Sequence, residues 1–434
     1  MSEKDPLFTS PPLTPKDQFL AIELDQIDLD IIKGKRTFTI SQFPLKELIK
    51  HIKHPTFFYF SPPDESYEIL SIGIAERYTR DRALHFIKHS QQDYLYFIDT
   101  FESQHITDQA TSFLGEWNFY RTKDQSSLRV HTKTNSTQLT PGHELFESNV
   151  WESFLSPWSE YEETPEHDEW EKMIAEAHRL FDKKTLNKIV LSRRKKFTYP
   201  EAIEQKTLFL ELLDAHLETK SFKILNQMSN ESAFISLTPE RLFKLQGNEL
   251  QTIALAGSTM RGESQSADQI LADELNQSQK LIEEHQYVID DIKNKLLPLA
   301  KSVEEGTISI MKLPYIQHRM CDLNVKLQDN INPYQLIKAL HPTAAVGGLP
   351  SQEALKEILK IEKHKRDFYA APIGILSYQF SEVAVGIRSA LIENDCLTLF
   401  GGAGIVKGST AEEEWQETGT KMKPFLKVIN KSII

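Results

Sequence analysis

Apolar and polar positions follow three regimes along the chain. Residues 1–18 set Pro6, Pro11, Pro12 and Pro15 among polar side chains. Prolines at that density remove backbone donors and oppose regular structure, so the stretch reads as a flexible tail. Residues 19–150 follow as a β-rich part in which, from about residue 36, short runs such as Thr56–Phe60 and Tyr94–Ile98 lie between polar turns. No chemistry is legible there. Trp151, Trp158 and Tyr161 then stand among Glu152, Glu160, Glu162, Glu163, Glu166, Asp168 and Glu169, and this stretch reads as a connection between two halves.

Its end predicts a helix start, with Thr164 as N-cap and Pro165 at the first helical position. Trp170, Met173, Ile174, Ala177, Leu180 and Phe181 recur behind it at helical spacing. Strands are expected at Lys188–Arg193, Phe234–Leu237 and Leu250–Leu255. A long helix over about 268–297 carries Ile270, Leu271, Leu275, Leu281, Ile282, Ile289, Ile292 and Leu296 on a broad apolar face. Helices near 352–363 and 411–430 flank β-rich segments at 372–388 and 395–406. The region 151–434 is thus an α/β mixture with strands in hairpin-like succession.

The chain has 434 residues, with 50 Lys+Arg against 62 Asp+Glu, a net charge of −12. That balance disfavours nonspecific nucleic-acid binding. No run of about 18 apolar residues exists to span a bilayer. The start Met-Ser-Glu-Lys-Asp-Pro sets acids and a proline where a secretory signal carries a basic segment and then an apolar one. Cys321 and Cys396 have neither zinc-site spacing nor a disulfide framework around them. A cytoplasmic, reducing location is the expectation.

Taken singly, the polar candidates have plain structural explanations. Gly401, Gly402, Gly404 and Gly408 fit neither a Walker loop nor a dinucleotide fingerprint and read as a tight turn, although glycines also let backbone N–H groups approach an anion. Glu413, Glu417 and Lys421, with Glu414, share one side of the terminal helix as a solvated, salt-bridged face. Lys280 stands four residues before Glu284, the spacing of a helical ion pair. Two carboxylates from separate helices also suit Mg²⁺, which takes a few carboxylates plus waters and substrate oxygens. Lys188 at a strand edge reads as a guard against aggregation, and Glu240 beside Arg241 as a local ion pair.

Together the segments carry more. In order they are Lys188-Ile-Val-Leu-Ser-Arg193, Thr238-Pro-Glu-Arg-Leu242, Ala254-Leu-Ala-Gly-Ser-Thr259 with Arg261-Gly262, Glu284-His285, Leu340-His-Pro-Thr-Ala-Ala-Val-Gly-Gly348, Tyr369-Ala-Ala-Pro-Ile-Gly374, Ile387-Arg-Ser389, Gly402-Ala-Gly-Ile-Val406 and Glu414-Trp-Gln-Glu-Thr418 with Lys421. Over residues 166–430 this series resembles the chorismate-utilising enzymes and, among them, is similar to isochorismate synthases. The resemblance implies an α/β (α+β) fold like that of anthranilate synthase component I: one large body, two β-sheets facing each other, helices outside. Residues 1–150 match only vaguely and are expected to supply a second sheet.

The implied reaction is the isomerisation of chorismate to isochorismate, in which water attacks C2, the ring double bonds shift and the C4 hydroxyl leaves. The product would feed menaquinone or siderophore and salicylate synthesis. By position Lys188 would be the base on water, which calls for a buried place rather than an exposed edge. Glu240 would be the acid, which requires a raised pKa. Glu284 and Glu417 match magnesium ligands, with Glu414 a partner through water, and Mg²⁺ would hold the ring carboxylate of a dianion that a net-negative protein repels. Arg388 and Lys421 match carboxylate-holding residues, while Gly257, Thr343, Tyr369, Gly402 and Gly404 are expected to line the same pocket.

Anthranilate synthases, which use ammonia, lack a lysine at the position of Lys188. Its presence here implies water as nucleophile, and no glutamine amidotransferase subunit is expected; the sequence leaves monomer and homodimer open. His341-Pro-Thr343 and Val346-Gly-Gly348 favour isochorismate synthase over salicylate synthase, which goes on to eliminate pyruvate. A catalytically silent chorismate-binding subunit is the remaining alternative. Departures from the family pattern are Leu281, where an acid often stands three residues before the metal glutamate, Ala344 for a proline and Ala371 for a glycine.

Overall fold

A computed structural model describes residues 36–39, 44–90, 93–102, 111–131, 156–216, 219–378 and 380–430. The expected tail 1–18 and the boundary at 150 lie outside them. Among the described residues the chain forms two antiparallel sheets, of 12 and 10 strands. The larger runs Arg36–Thr39, Ser126–Val130, Trp117–Thr122, Tyr67–Ile72, Phe57–Ser61, Phe222–Gln227, Ser232–Thr238, Ser389–Glu393, Cys396–Val406, Lys188–Thr198, Gly348–Leu349, with Glu160–Thr164 also on Lys188–Thr198. The smaller runs Ala300–Glu305, Ile316–Leu327, Glu249–Met260, Arg241–Gln246, Phe380–Val385, Pro372–Ser377, Tyr94–Ile98, Ser112–Leu114, Glu76–Tyr78, with Ser309–Lys312 on Ile316–Leu327.

The apolar runs of the larger sheet are buried on both faces, which explains why they are continuous rather than alternating. Phe58, Phe60, Ile224 and Phe234 point inward to meet Tyr94, Tyr96, Ile98, Ile373 and Ile375 of the other sheet. Phe58 stacks on Tyr96 with ring centroids 4.8 Å apart. Their neighbours Phe57, Tyr59, Leu225 and Ile235 point outward onto helices Gln205–Ala215 and Ala411–Ile429. The two sheets therefore face each other with helices outside.

Strands that precede residue 131 do not make a separate second sheet: Phe57–Ser61 and Tyr67–Ile72 extend the larger one, and Tyr94–Ile98 joins the smaller. Two of these strands make the join to later ones, Phe57–Ser61 pairing with Phe222–Gln227 and Tyr94–Ile98 with Pro372–Ser377. Trp158–Thr164 is likewise more than a connection, since Glu160–Thr164 pairs with Lys188–Thr198. Thr164, expected as an N-cap, is the last residue of that strand. The helix begins at His167 with Glu166 as N-cap, and it buries Trp170, Met173, Ile174, Ala177 and Leu180 as the spacing predicts.

The helix expected over 268–297 is two helices, Gln265–Gln277 and Gln279–Leu296. Ser278 breaks it because its hydroxyl accepts from the Leu281 N–H and caps the second helix. Ile270, placed by periodicity on the apolar face, is 58% exposed. Thr410 caps Ala411–Ile429 by accepting from the Glu413 N–H, with Glu412, Glu413 and Glu414 in the first turn, where the helix dipole favours acids.

Candidate active site

Strand Lys188–Thr198 runs beside Cys396–Val406, with Val190 opposite Gly404 and Ser192 opposite Gly402. Gly401–Gly404, read from composition as a tight turn, is mid-strand. Alternate residues of a strand share a face, and Gly402 and Gly404 share the one that floors a cleft between the sheets. Glycine there provides room. A Cβ at Gly402 would lie 2.6 Å from the Tyr369 hydroxyl, and one at Gly404 would lie 2.3 Å from Glu284 Oε1 and 2.9 Å from Lys188 Cε.

The cleft encloses about 610 Å³ of empty space, part of it open to solvent, and is lined by Glu240, Ser258, Glu284, His318, Tyr369, Arg388, Glu417 and Lys421 among others. Lys188 reaches it from behind Gly404. It is no edge guard: its strand pairs with Val406 on one side and Leu349 on the other, and the residue is 1% exposed. Its Nζ donates to Glu284 Oε1 at 3.0 Å. Lys280, the expected helical partner of Glu284, turns away to Glu414 Oε1 at 3.0 Å and Glu413 Oε2 at 3.4 Å. The helix that carries Glu284 is pinned by the next residue, His285, which donates from Nε2 to the Ala254 carbonyl at 3.1 Å.

Glu240 sits between strands Ser232–Thr238 and Arg241–Gln246, its N–H bonded to Thr238 Oγ1. The ion pair expected with Arg241 is absent, because Arg241 bonds Glu382 at 2.8 Å. Burial pushes the Glu240 carboxyl up to about 7, against the lowering effect of Lys188, Lys421, the Thr343 hydroxyl and Arg388. A partly protonated carboxyl therefore stands near neutrality within the field of a buried lysine.

The solvated-face expectation for the terminal helix also changes. Glu414 is 4% exposed. Burial and the charge of Glu417, with a further contribution from Glu284, raise its carboxyl to about 7, Lys280 opposing. Glu417 is only half-buried, and its pKa is lowered because the Lys421 ammonium 2.6 Å away and Arg388 outweigh desolvation. Lys421 also donates to the Gly402 carbonyl at 2.8 Å. Three carboxylates from two helices thus approach one end of the cleft with mutual repulsion, a hard-oxygen set that suits a magnesium-sized cation. In the present arrangement each is turned to a lysine, and among the described residues no three metal-ligating side chains converge as a cluster.

Arg388 enters from the segment before Ser389–Glu393 with φ of 49°, a left-handed backbone that costs a non-glycine residue about 1–2 kcal/mol. Tyr369 stacks on Phe400 with centroids 5.2 Å apart. Two expected lining residues stand back from the cleft. Gly257 occupies a bulge between Ala256 and Ser258 at φ of 68° and faces the Leu281 carbonyl, so its neighbours do the lining. Thr343 lies behind Glu240, its Oγ1 3.5 Å from Oε1. Ala344 is fully buried, its N–H held by Asp291 Oδ2 at 2.8 Å.

Sequence reasoning missed Ser258 and His318. His318 lies on an alternating strand and Ser258 inside a quoted motif, but only the pairing register sets them opposite one another.

Comparison with known proteins follows the same lines. The sequence profile described as "Chorismate binding enzyme" matches residues 142–430. Isochorismate synthase MenF of Bacillus subtilis (strain 168) is 34% identical over 264 residues, 60% of this chain and 55% of that protein. MenF of Haemophilus influenzae is 35% identical over 236 residues, 54% of each. The chain thus spans little more than half the length of these relatives. Among solved structures, MenF of Escherichia coli superposes with a TM-score of 0.85 at 23% identity over 95% of this chain and 100% of that one. Anthranilate synthase component I of Streptococcus pneumoniae gives 0.67 at 18% identity over 98% and 100%. These likenesses concern the fold. With the profile covering well over half its length, the chain belongs to the chorismate binding enzyme family.

Proposed function

We propose that the protein is an isochorismate synthase, converting chorismate to isochorismate. The observation that carries this is a buried lysine and a buried carboxyl raised to about 7, Lys188 and Glu240, at one cleft with Arg388 and Lys421. Relatives named isochorismate synthase support the same reaction. Lys188, as general base, takes a proton from water as its oxygen bonds to C2. The ring double bonds shift, and Glu240 gives its proton to the departing C4 hydroxyl, which leaves as water. One water enters, one leaves, and the proton lost by Glu240 is balanced by the one gained at Lys188.

Arg388 and Lys421 supply positive charge for the substrate carboxylates, Arg388 with a planar fork. Glu284 and Glu417 would hold Mg²⁺, with Glu414 beside them. When bound, that ion supplies counter-charge for the ring carboxylate. Gly402 and Gly404 leave room and backbone polar groups on the floor, and Tyr369 closes a side. With water as nucleophile, no ammonia-supplying subunit is required. Two free thiols, Cys321 and Cys396, fit a reducing cytoplasm, and among the described residues no helix is long and apolar enough to cross a membrane. Residues 151–434 would form the chorismate-binding catalytic region, residues 19–150 the β-rich remainder of the same body.

The test is to incubate purified protein with chorismate, with Mg²⁺ or with EDTA, resolving products by HPLC and assaying pyruvate. Isochorismate without pyruvate, lost in EDTA, is the expected result. Salicylate with pyruvate would select a salicylate synthase, and unchanged chorismate a silent binder.

A further inference from the structure

His318 stands directly opposite Ser258 on neighbouring strands. Its ring spans two contacts: Nδ1 lies 2.8 Å from Ser258 Oγ, and Nε2 lies 3.0 Å from Arg388 Nη2. All three residues line the cleft, with His318 4% and Arg388 6% exposed. A guanidinium has donors and no acceptor, so Nε2 must accept and the ring proton sits on Nδ1, donated to the serine oxygen. The histidine is therefore neutral, and burial together with the charges of Arg388 and Lys421 holds its pKa well below the usual value. Arg388 Nε is buried and meets no partner among the described residues.

We propose that His318 is a positioning residue for substrate binding, a neutral acceptor that fixes the Arg388 guanidinium in the cleft while leaving its positive charge available to a substrate carboxylate. This rests on the reading that the substrate is the dianion chorismate. The choice of histidine follows from charge. A carboxylate at this place would orient Arg388 equally well but would cancel its charge, in a cleft that already holds Glu240, Glu284 and Glu417. An apolar residue would spare the charge but leave the guanidinium without its acceptor. A neutral acceptor meets both requirements, and Ser258 keeps it in the accepting tautomer.

Steady-state kinetics on chorismate, with the full chain and Mg²⁺, separate these roles. His318→Gln, whose amide oxygen can accept the same bond, is expected to hold KM within about threefold. His318→Leu should raise KM about tenfold or more, with a smaller change in kcat. His318→Glu restores an acceptor yet should raise KM the most, about a hundredfold, because it neutralises Arg388. A residue that served packing alone would lower stability without dividing Gln from Glu, so thermal melts accompany the kinetics. If His318→Glu matches His318→Gln, or if His318→Leu keeps the wild-type KM, the proposal is overturned. Should the position-318 variants fail to fold, Ser258→Ala gives the second test: loss of the tautomer lock should raise KM several-fold, and an unchanged KM refutes it. Wild-type turnover is read separately. If the wild type does not convert chorismate, the functional reading fails, and the same variants are compared by calorimetric chorismate binding, with the same order of affinities required.

Discussion

Gly404→Ala tests whether the cleft floor is glycine for reasons of chemistry. The added methyl would sit 2.3 Å from Glu284 Oε1, 2.9 Å from Lys188 Cε and 3.1 Å from Lys188 Nζ, whereas ordinary contact begins at 3.4 Å. The Lys188–Glu284 pair must therefore retreat by about 1 Å, and a shift of that size in a reacting group lowers turnover about a hundredfold. The fold should tolerate the change, because what moves is the flexible end of two side chains. Gly401→Ala, three residues away on the other face, provides the contrast: its methyl would meet the Thr418 carbonyl at 2.6 Å, so backbone must move and the melting temperature should fall. The assay is kcat on chorismate by coupled product detection, with thermal melts of both variants. Gly404→Ala with kcat within threefold of wild type, or with a loss of stability matching that of Gly401→Ala, would refute the reasoning.

Other expectations follow from the same geometry. Lys188→Ala should lower kcat by about 10³-fold or more with circular dichroism unchanged; near-normal turnover would remove it as the base. Glu240, raised to about 7, must be protonated to act, so its contribution as acid should decline as pH rises through that value. A Glu240→Gln variant with residual activity should lose that alkaline limb from its pH profile. Addition of EDTA, or Glu417→Gln, should abolish turnover, with activity of the wild type restored by excess Mg²⁺ and not by Ca²⁺, which takes more oxygen ligands at longer distances. Arg366→Met should destabilise the fold by about 3–5 kcal/mol in urea titrations, because it leaves the buried Glu362 carboxylate, 2.6 Å away, without its arginine and with only Ser192 among the described residues donating to it. A change below 1 kcal/mol would show that pair to be dispensable.

Local pattern made much of the architecture legible. Strand runs such as Phe57–Ser61 and Lys188–Arg193 are dense in β-favouring residues and lie buried on both faces, as strands between covered faces do. Helix His167–Asp182 was read from apolar spacing down to its buried residues. Errors arose where a single side chain overrode periodicity. Ser278 splits a helix that spacing alone runs through, and Thr164 is drawn into a strand by pairing with Arg194.

The site divides along the same line. Sequence motifs named Lys188, Glu240, Glu284, Glu414, Glu417, Arg388 and Lys421 because side-chain chemistry is written in residue type and order. Residue type cannot say who pairs with whom, since a partner's distance depends on elements remote in the chain. Glu284 stands at helical spacing from Lys280 but bonds Lys188, 96 positions away. Glu240 adjoins Arg241 but is left unpaired by it, so that burial can raise its pKa. His318 had no visible role until strand register set it against Ser258 and Arg388. By itself the sequence determined the element types, the inventory of acids and bases and the family they resemble. Tertiary structure decided which of those groups are buried, which charges oppose each other and which glycines make room, because desolvation and Coulomb energy depend on distance in space rather than along the chain.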